Sequence, residues 1–307
     1  MTNLSKAPIA DKAERDAYFP SEFSLSQFTA PTTGAKTPVY DRKYTGSKKI
    51  LVIATQERYL PLKEGKFFSS GNHPVETLLP MAHLHAAGFE FDIATPSGEH
   101  VKFEEWAFPS QDKLILEIFQ KYQPAFTNPL DLRRVVQNGG LGKDSDYLAV
   151  FIPGGHGVLN TIPLSHNVGQ ILKQAIEGQK FIITLCHGPA CLLSLSVLGR
   201  KSENPEERLN FADPAKLSNL RENPLAGFEI CAFPDQIDKE MLQSIGYIPA
   251  PMQWFIGEAL EKQGLKILPS PELGRVHRDR ILLTGDSPVA ADALGKLAAE
   301  TFLEAFA

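Results

Sequence analysis

Cysteine is scarce in this 307-residue chain, which has only Cys186, Cys191 and Cys231. So low and odd a number excludes a disulfide framework. A chain of this length buries enough apolar surface to fold without disulfides or a structural metal. Long apolar runs are also missing. Nothing approaches the eighteen or so residues of a membrane span, and the first twenty residues are polar and charged, without a signal-peptide core. A basic excess is absent as well: 31 Lys and Arg stand against 36 Asp and Glu, a formal charge of −5. That gives no electrostatic case for a nucleic-acid scaffold, which needs a basic surface, and leaves room only for a local basic patch. These absences predict a cytoplasmic protein with reduced thiols. Apolar residues at 43% and charged residues at 22% exclude wholesale disorder.

Several short apolar runs are present. Ile50 to Ala54, Phe89 to Thr95, Tyr147 to Ile152, Phe181 to Leu185, Phe228 to Phe233 and Arg280 to Gly285 read as strands, most of them buried on both faces. Helical patterns alternate with them: Val75–Ala87, Asp112–Tyr122, Leu130–Gln137, Val168–Gln179, Leu192–Leu198, Lys239–Ile245, Phe255–Gln263 and Pro288–Phe306. Alternation of this kind predicts an α/β fold, a mainly parallel sheet sandwiched by helices. Residues 1–47 carry Tyr18, Phe19, Phe23, Phe28, Tyr40 and Tyr44, too many aromatics for a solvated tail. They predict an ordered arm on the body, which runs from 48 to 307. Gly199 to Asn223, dense in charge and turn residues, reads as a surface insertion.

The chemistry gathers at strand ends. In Thr184-Leu185-Cys186-His187-Gly188-Pro189 a buried strand stops at a cysteine and an apolar helix follows. This is the layout of a nucleophile elbow, which lifts the side chain at the carboxyl edge of the sheet; the other reading is an inert buried thiol. Pro153-Gly154-Gly155-His156-Gly157 closes the preceding strand. There the Gly155 N–H, with that of His187, makes a candidate oxyanion hole, or else the segment is a plain tight turn. Glu76 opens a helix at the same edge, as a general acid/base beside Cys186 or as a helix cap. His187 would reach the sulfur, oriented by Asp235 or Asp238. His83, His85 and Glu90 straddle a helix end. Residues two apart on a helix face different ways, so a zinc site would take only one of the histidines.

The stretches Gly71–Pro80, His83–Glu90, Val150–Gly157, Leu185–Ala190, Cys231–Asp235 and Leu282–Pro288 resemble the ThiJ/PfpI superfamily, whose fold is like that of class I glutamine amidotransferases (flavodoxin-like). Within it they are similar to the HchA-type branch of heat-shock chaperones, also described as glyoxalase III and protein deglycases. The resemblance implies Cys186 as nucleophile, with His187 and Asp238 completing a triad and Glu76 beside the sulfur. It also implies a homodimer, a small N-terminal lobe over the site, and a metal site of two His and one Glu. Two of those ligands map onto His85 and Glu90. The third falls at or near Tyr122, so the expectation is that no cofactor is required and that zinc binds weakly at best. The insertion is longer than the resemblance implies.

The leading expectation is a Cys-dependent, glutathione-independent enzyme acting on methylglyoxal, glyoxal or their early adducts on proteins and nucleotides. It would release lactate or glycolate and hold unfolded protein clients under stress. Competing readings are a chaperone with vestigial catalysis and a glutaminase- or peptidase-type amide hydrolase. For the latter, His277-Arg278-Asp279 would be the downstream pair, although it reads as the approach to a strand.

Overall fold

A computed structural model of the chain describes residues 4–198 and 221–307. The arm carries β1 (Ile9–Ala10), β2 (Ala17–Phe19) and a helix, Glu22–Phe28. The body begins with β3 (Lys49–Ile53), β4 (Tyr59–Pro61), β5 (Phe67–Ser69) and the helix Pro74–Ala86. Next come β6 (Phe91–Thr95), the helix Lys113–Thr127, β7 (Leu130–Asp131), β8 (Tyr147–Ile152), the helix His166–Glu177 and β9 (Phe181–Leu185). The chain ends with β10 (Glu229–Ile230), the helix Ile256–Lys262, β11 (Lys266–Ile267), β12 (Val276–Asp279), β13 (Leu282–Gly285) and the helix Ala291–Phe306.

The main sheet has the order β12-β13-β9-β8-β3-β6-β7. Its strands are parallel except β12, which is antiparallel to β13. The central strands are unbroken apolar runs, as burial on both faces requires: Ile50 to Ile53, Ala149 to Ile152 and Ile182 to Leu185 are buried throughout. Helix Pro74–Ala86 packs against both Lys113–Thr127 and Ala291–Phe306, while His166–Glu177 packs with the turns from Gly188 to Val197. The α/β architecture is therefore the expected one.

Two strand readings need correction. Phe228 to Phe233 does not enter the main sheet. Only Glu229–Ile230 is a strand, paired with β11 in a separate two-stranded sheet. The place beside β9 is taken by the fully buried β13, and the Cys231 N–H turns to the Thr284 side-chain oxygen instead, at 2.9 Å. His277-Arg278-Asp279 does lead into a strand, β13, but it is not mere approach, being itself β12, the charged edge strand. Charge on an edge blunts pairing with other chains.

The arm is fastened along its length. The Thr33 N–H and hydroxyl both donate to Asp112 Oδ2, the Tyr44 N–H donates to the Ala87 carbonyl at 2.8 Å, and the Tyr44 ring stacks on Phe89. Five of its six aromatics are half-buried, whereas Phe28 is exposed. The arm does not build the small lobe alone. Its sheet has the order β1-β2-β5-β4, so two of the four strands come from the body. The physical reason is that two short strands make no stable sheet without partners. Of the expected insertion, residues 199–220 lie outside the described residues.

The C-terminal helix lies so close to Pro74–Ala86 that a Cβ at Gly295 would stand 2.8 Å from His83 Cδ2 and 2.9 Å from Pro80 Cα. Alanine ordinarily gains about 1 kcal/mol over glycine inside a helix. Here the overlap with backbone outweighs that gain. Gly295→Ala is expected to lower stability by about 1–2 kcal/mol, read from chemical denaturation.

Candidate active site

Cys186 is one of five non-glycine residues with positive φ among the described residues, at 57°. Such a conformation costs on the order of 1–3 kcal/mol and persists where surroundings enforce it. Here the Cys186 N–H is held by the Gly285 carbonyl and its carbonyl accepts from the Phe233 N–H, both at 2.9 Å. The turn sets the thiol at the carboxyl edge of β9, as a nucleophile elbow does.

From the sulfur the site extends through histidine. Cys186 Sγ lies 3.4 Å from His187 Nδ1, and His187 Nε2 lies 2.9 Å from Asp238 Oδ2. Asp238 Oδ1 is equally close to His156 Nε2, at 2.9 Å. Burial works against the Asp238 charge, but the two imidazoles prevail and hold the carboxyl well below the usual carboxylate range. As an ionised acceptor, Asp238 assigns the ring protons to the Nε2 atoms. With Nε2 turned to Asp238, the His187 ring presents Nδ1 to the thiol. Of the two aspartates open to His187 on sequence, Asp238 meets it. Asp235 instead accepts the N–H groups of Gly257 and Glu258 at the start of the helix Ile256–Lys262.

Glu76 lies in the first turn of Pro74–Ala86, but it does not cap that helix. Its two buried oxygens have no nitrogen or oxygen partner, and its carboxyl faces the Cys186 thiol. Burial, and then the neighbouring Glu104, raises Glu76 well above the ordinary carboxylate range. Burial and the Glu76 carboxyl likewise push the thiol up. Gly154 makes this proximity feasible, because a Cβ there would run into Glu76 Oε2 and stand 2.9 Å from Cys186 Cβ. At Gly155, φ is 103°. The N–H groups of Gly155 and His187 donate to no acceptor among the described residues, and both residues line the pocket over Cys186.

Three residues of this neighbourhood were not singled out by sequence. Glu104 is buried, accepts from the Ser70 hydroxyl at 2.7 Å, faces the His156 backbone N–H and leaves Oε2 unpartnered. The imidazole of His156 was quoted only as part of a turn. Tyr247 packs against His156, Trp106 and Phe28. The one signal for Glu104 was an acid set among Val101, Phe103, Trp106 and Phe108.

The expected metal ligands do come together, though without fitting zinc. His85 Nδ1 lies 3.2 Å from Glu90 Oε1, while His83 is occupied elsewhere, by Tyr40 and Asp292. The third place is filled by Tyr122, whose hydroxyl donates to Glu90 Oε2 at 2.7 Å and stands 3.4 Å from His85 Nδ1. Burial and the Glu90 carboxylate raise the phenol far above its ordinary value, so it stays protonated. Lys121 adds an ammonium 3.4 Å from Glu90. Elsewhere among the described residues, only His156, His187 and Asp238 bring three ligand atoms together, and those atoms are engaged with one another.

A strand-to-helix cysteine elbow, a bridging aspartate and a buried glutamate on a parallel sheet define a class, and the sequence agrees with it. The chain belongs to the DJ-1/PfpI family, whose pattern matches residues 67–203. It is 49% identical over 303 residues to the protein/nucleic acid deglycase HchA of Escherichia coli O7:K1, spanning 99% of this chain and 98% of that one. It is 48% identical, with the same coverage, to HchA of Escherichia coli O157:H7. Among solved structures, glyoxalase III from Candida albicans shares the fold with a TM-score of 0.60 at 21% identity, over 85% of this chain and 98% of that one. The 24 kDa rapid encystment protein of Francisella tularensis gives 0.61 at 18% identity, over 83% and 99%.

Two outcomes are expected here. A raised carboxyl keeps a proton that the unfolded chain releases, so Glu76 erodes stability as pH climbs above about 4.5. The difference in urea stability between Glu76→Gln and wild type should move in favour of the variant from pH 4 to pH 8. For the metal, wild-type protein should retain zinc well below stoichiometry after dialysis. Tyr122→His, which supplies a third ligand, should retain one zinc and gain thermal stability with it.

Proposed function

We propose that this chain is a Cys186-dependent, glutathione-independent enzyme acting on 2-oxoaldehydes and their early adducts on proteins and nucleotides, a deglycase of the glyoxalase III type. The observation that carries the reading is the buried constellation of Cys186, Glu76, His187 and Asp238 under a pocket of about 390 Å³. The near full-length likeness to named deglycases supports it.

In this reading His187 Nδ1 takes the thiol proton while Asp238 holds the ring. The sulfur adds to the aldehyde carbon, the carbonyl π bond opens, and the oxygen accepts the N–H groups of Gly155 and His187 before it is protonated. With an adduct as substrate, the sulfur displaces the amine from the carbinol carbon. Glu76 gives its proton to the aldehyde oxygen and then, as the carboxylate, removes the hydrogen on the carbon and returns it to the neighbouring ketone carbon, while the hydroxyl proton passes to the ketone oxygen. One carbon is oxidised to a thioester as the other is reduced to an alcohol, so no external oxidant enters. Water cleaves the thioester, releasing a 2-hydroxy acid, lactate from methylglyoxal and glycolate from glyoxal, and restoring the thiol.

The chain in this reading works as a cytoplasmic homodimer without a required cofactor and also holds unfolded clients. A Cys186→Ala variant that still prevents aggregation of a client would separate holding from catalysis. The amide hydrolase alternative finds no support, because His277 and Asp279 sit on the edge strand, with Asp279 bound to Arg280.

The test is product analysis and mass spectrometry with methylglyoxal and no glutathione. Cys186→Ala should form neither adduct nor lactate, and Cys186→Ser should be nearly as inactive. Glu76→Gln should still trap the aldehyde on Cys186, with lactate production down by about 10²–10⁴-fold. Undiminished lactate from Cys186→Ala would overturn the proposal.

A further inference from the structure

The pocket above Cys186 is built for more than a three-carbon dicarbonyl. Its volume of about 390 Å³ corresponds to room for about a dozen waters at roughly 30 Å³ each. Its walls are apolar: Phe28, Phe233, Met241, Leu242, Tyr247 and Val289. Exposed apolar surface gathers at the same place. Seven large apolar side chains are exposed among the described residues, and three of them line this pocket: Phe28 at 40%, Met241 at 44% and Val289 at 65%. Apolar surface left open around a pocket marks a binding site for an apolar group.

The charged groups point the same way. Among the described residues, no lysine or arginine lines the pocket, and its two acids are Glu76 and Glu104. Two of the lining histidines, His73 and His156, are disfavoured as cations. Burial drives His73 down to about 3, burial and His187 lower His156, and the Nε2 atoms of His156 and His187 both turn to Asp238. A carboxylate or phosphate on the substrate would leave water for a pocket offering it no lysine or arginine, which is costly.

We propose that the pocket selects 2-oxoaldehydes with an extended uncharged apolar tail over methylglyoxal, and over tails carrying an anion. This rests on the reading of Cys186 as the group that adds to the aldehyde. In that addition the S–C bond forms, the carbonyl π bond breaks, the thiol loses a proton and the oxygen gains one, with no change of oxidation state overall. The tail then lies along Phe233, Met241 and Leu242 toward Val289.

The experiment compares methylglyoxal, 2-oxobutanal, 2-oxohexanal and an isosteric pair, 5-methyl-2-oxohexanal and 4,5-dioxopentanoate, which differ at the tail end by an isopropyl group against a carboxylate. Two quantities are read for each: kcat/KM, and the concentration that half-protects Cys186 from alkylation by iodoacetamide. Both should improve about three- to four-fold per added methylene. The anion should be at least about ten-fold worse than its isostere. Val289→Lys, an exposed substitution away from the reacting atoms, should shrink that ratio by aiding the anion. Values that stay flat with tail length, equal values for the isosteric pair, or no protection by the neutral isostere would overturn the inference. Protection is read without turnover. Expected protection ratios with no lactate would leave the selectivity standing and sink the enzyme reading, whereas lactate formation with flat ratios would do the reverse.

Discussion

Asp238 carries a negative charge where water does not reach, and it remains ionised because the ring N–H groups of His156 and His187 meet its two oxygens. Removing either ring would leave a buried charge half-compensated, a change that typically costs several kcal/mol. The geometry of the site follows from this bridge. His187 is held with its free nitrogen toward the sulfur, and His156 fixes the turn carrying Gly154 and Gly155. The short π-helical turn Ile237–Met241, which bears Asp238, is tied through that carboxylate to both rings, and its Ile237 and Met241 line the pocket.

A second pair of acids shows the opposite solution. Glu76 and Glu104 share the same buried neighbourhood without a cation, and there burial favours the protonated form of each. One site thus contains an aspartate kept charged by two ring donors and two glutamates that burial pushes toward the protonated form. Groups pushed apart in this way can divide acid and base roles at a single pH. Folding bears the cost, since unpaired polar atoms at Glu76 and Glu104 are a destabilising feature that packing elsewhere must offset.

Much of this was legible in the sequence, for reasons that can be named. The elbow at Cys186 and the glycine pair after β8 are local patterns, set by strand ends and turn chemistry. Asp238 needed more. Spacing could not separate it from Asp235, and only the resemblance did, because the choice is made by a turn whose geometry no local rule describes. Glu104 was missed because it sits on irregular backbone, where periodicity is silent. The strand reading of Phe228 to Phe233 failed through competition: the run is apolar apart from Glu229, but the place beside β9 goes to β13, which is buried throughout. That β5 and β4 of the body join the arm's sheet was not read, since pairing across a gap of some fifty residues leaves no local trace.

The wall of the pocket is sewn to the arm. The hydroxyls of Ser21 and Ser24 both end on the Ile245 carbonyl, at separations of 224 and 221 positions, and the Ser21 N–H ends on Gly246. Tyr247 follows directly on one side, Phe28 lies a helical turn beyond Ser24 on the other, and the two rings meet edge to face. The rim is therefore controlled by a seam that involves neither the thiol nor its partners. Changes in the seam can alter how readily a molecule enters while leaving untouched the chemistry it meets inside. Access and reactivity are then separately heritable traits, free to diverge between relatives that keep the same buried acids and histidines.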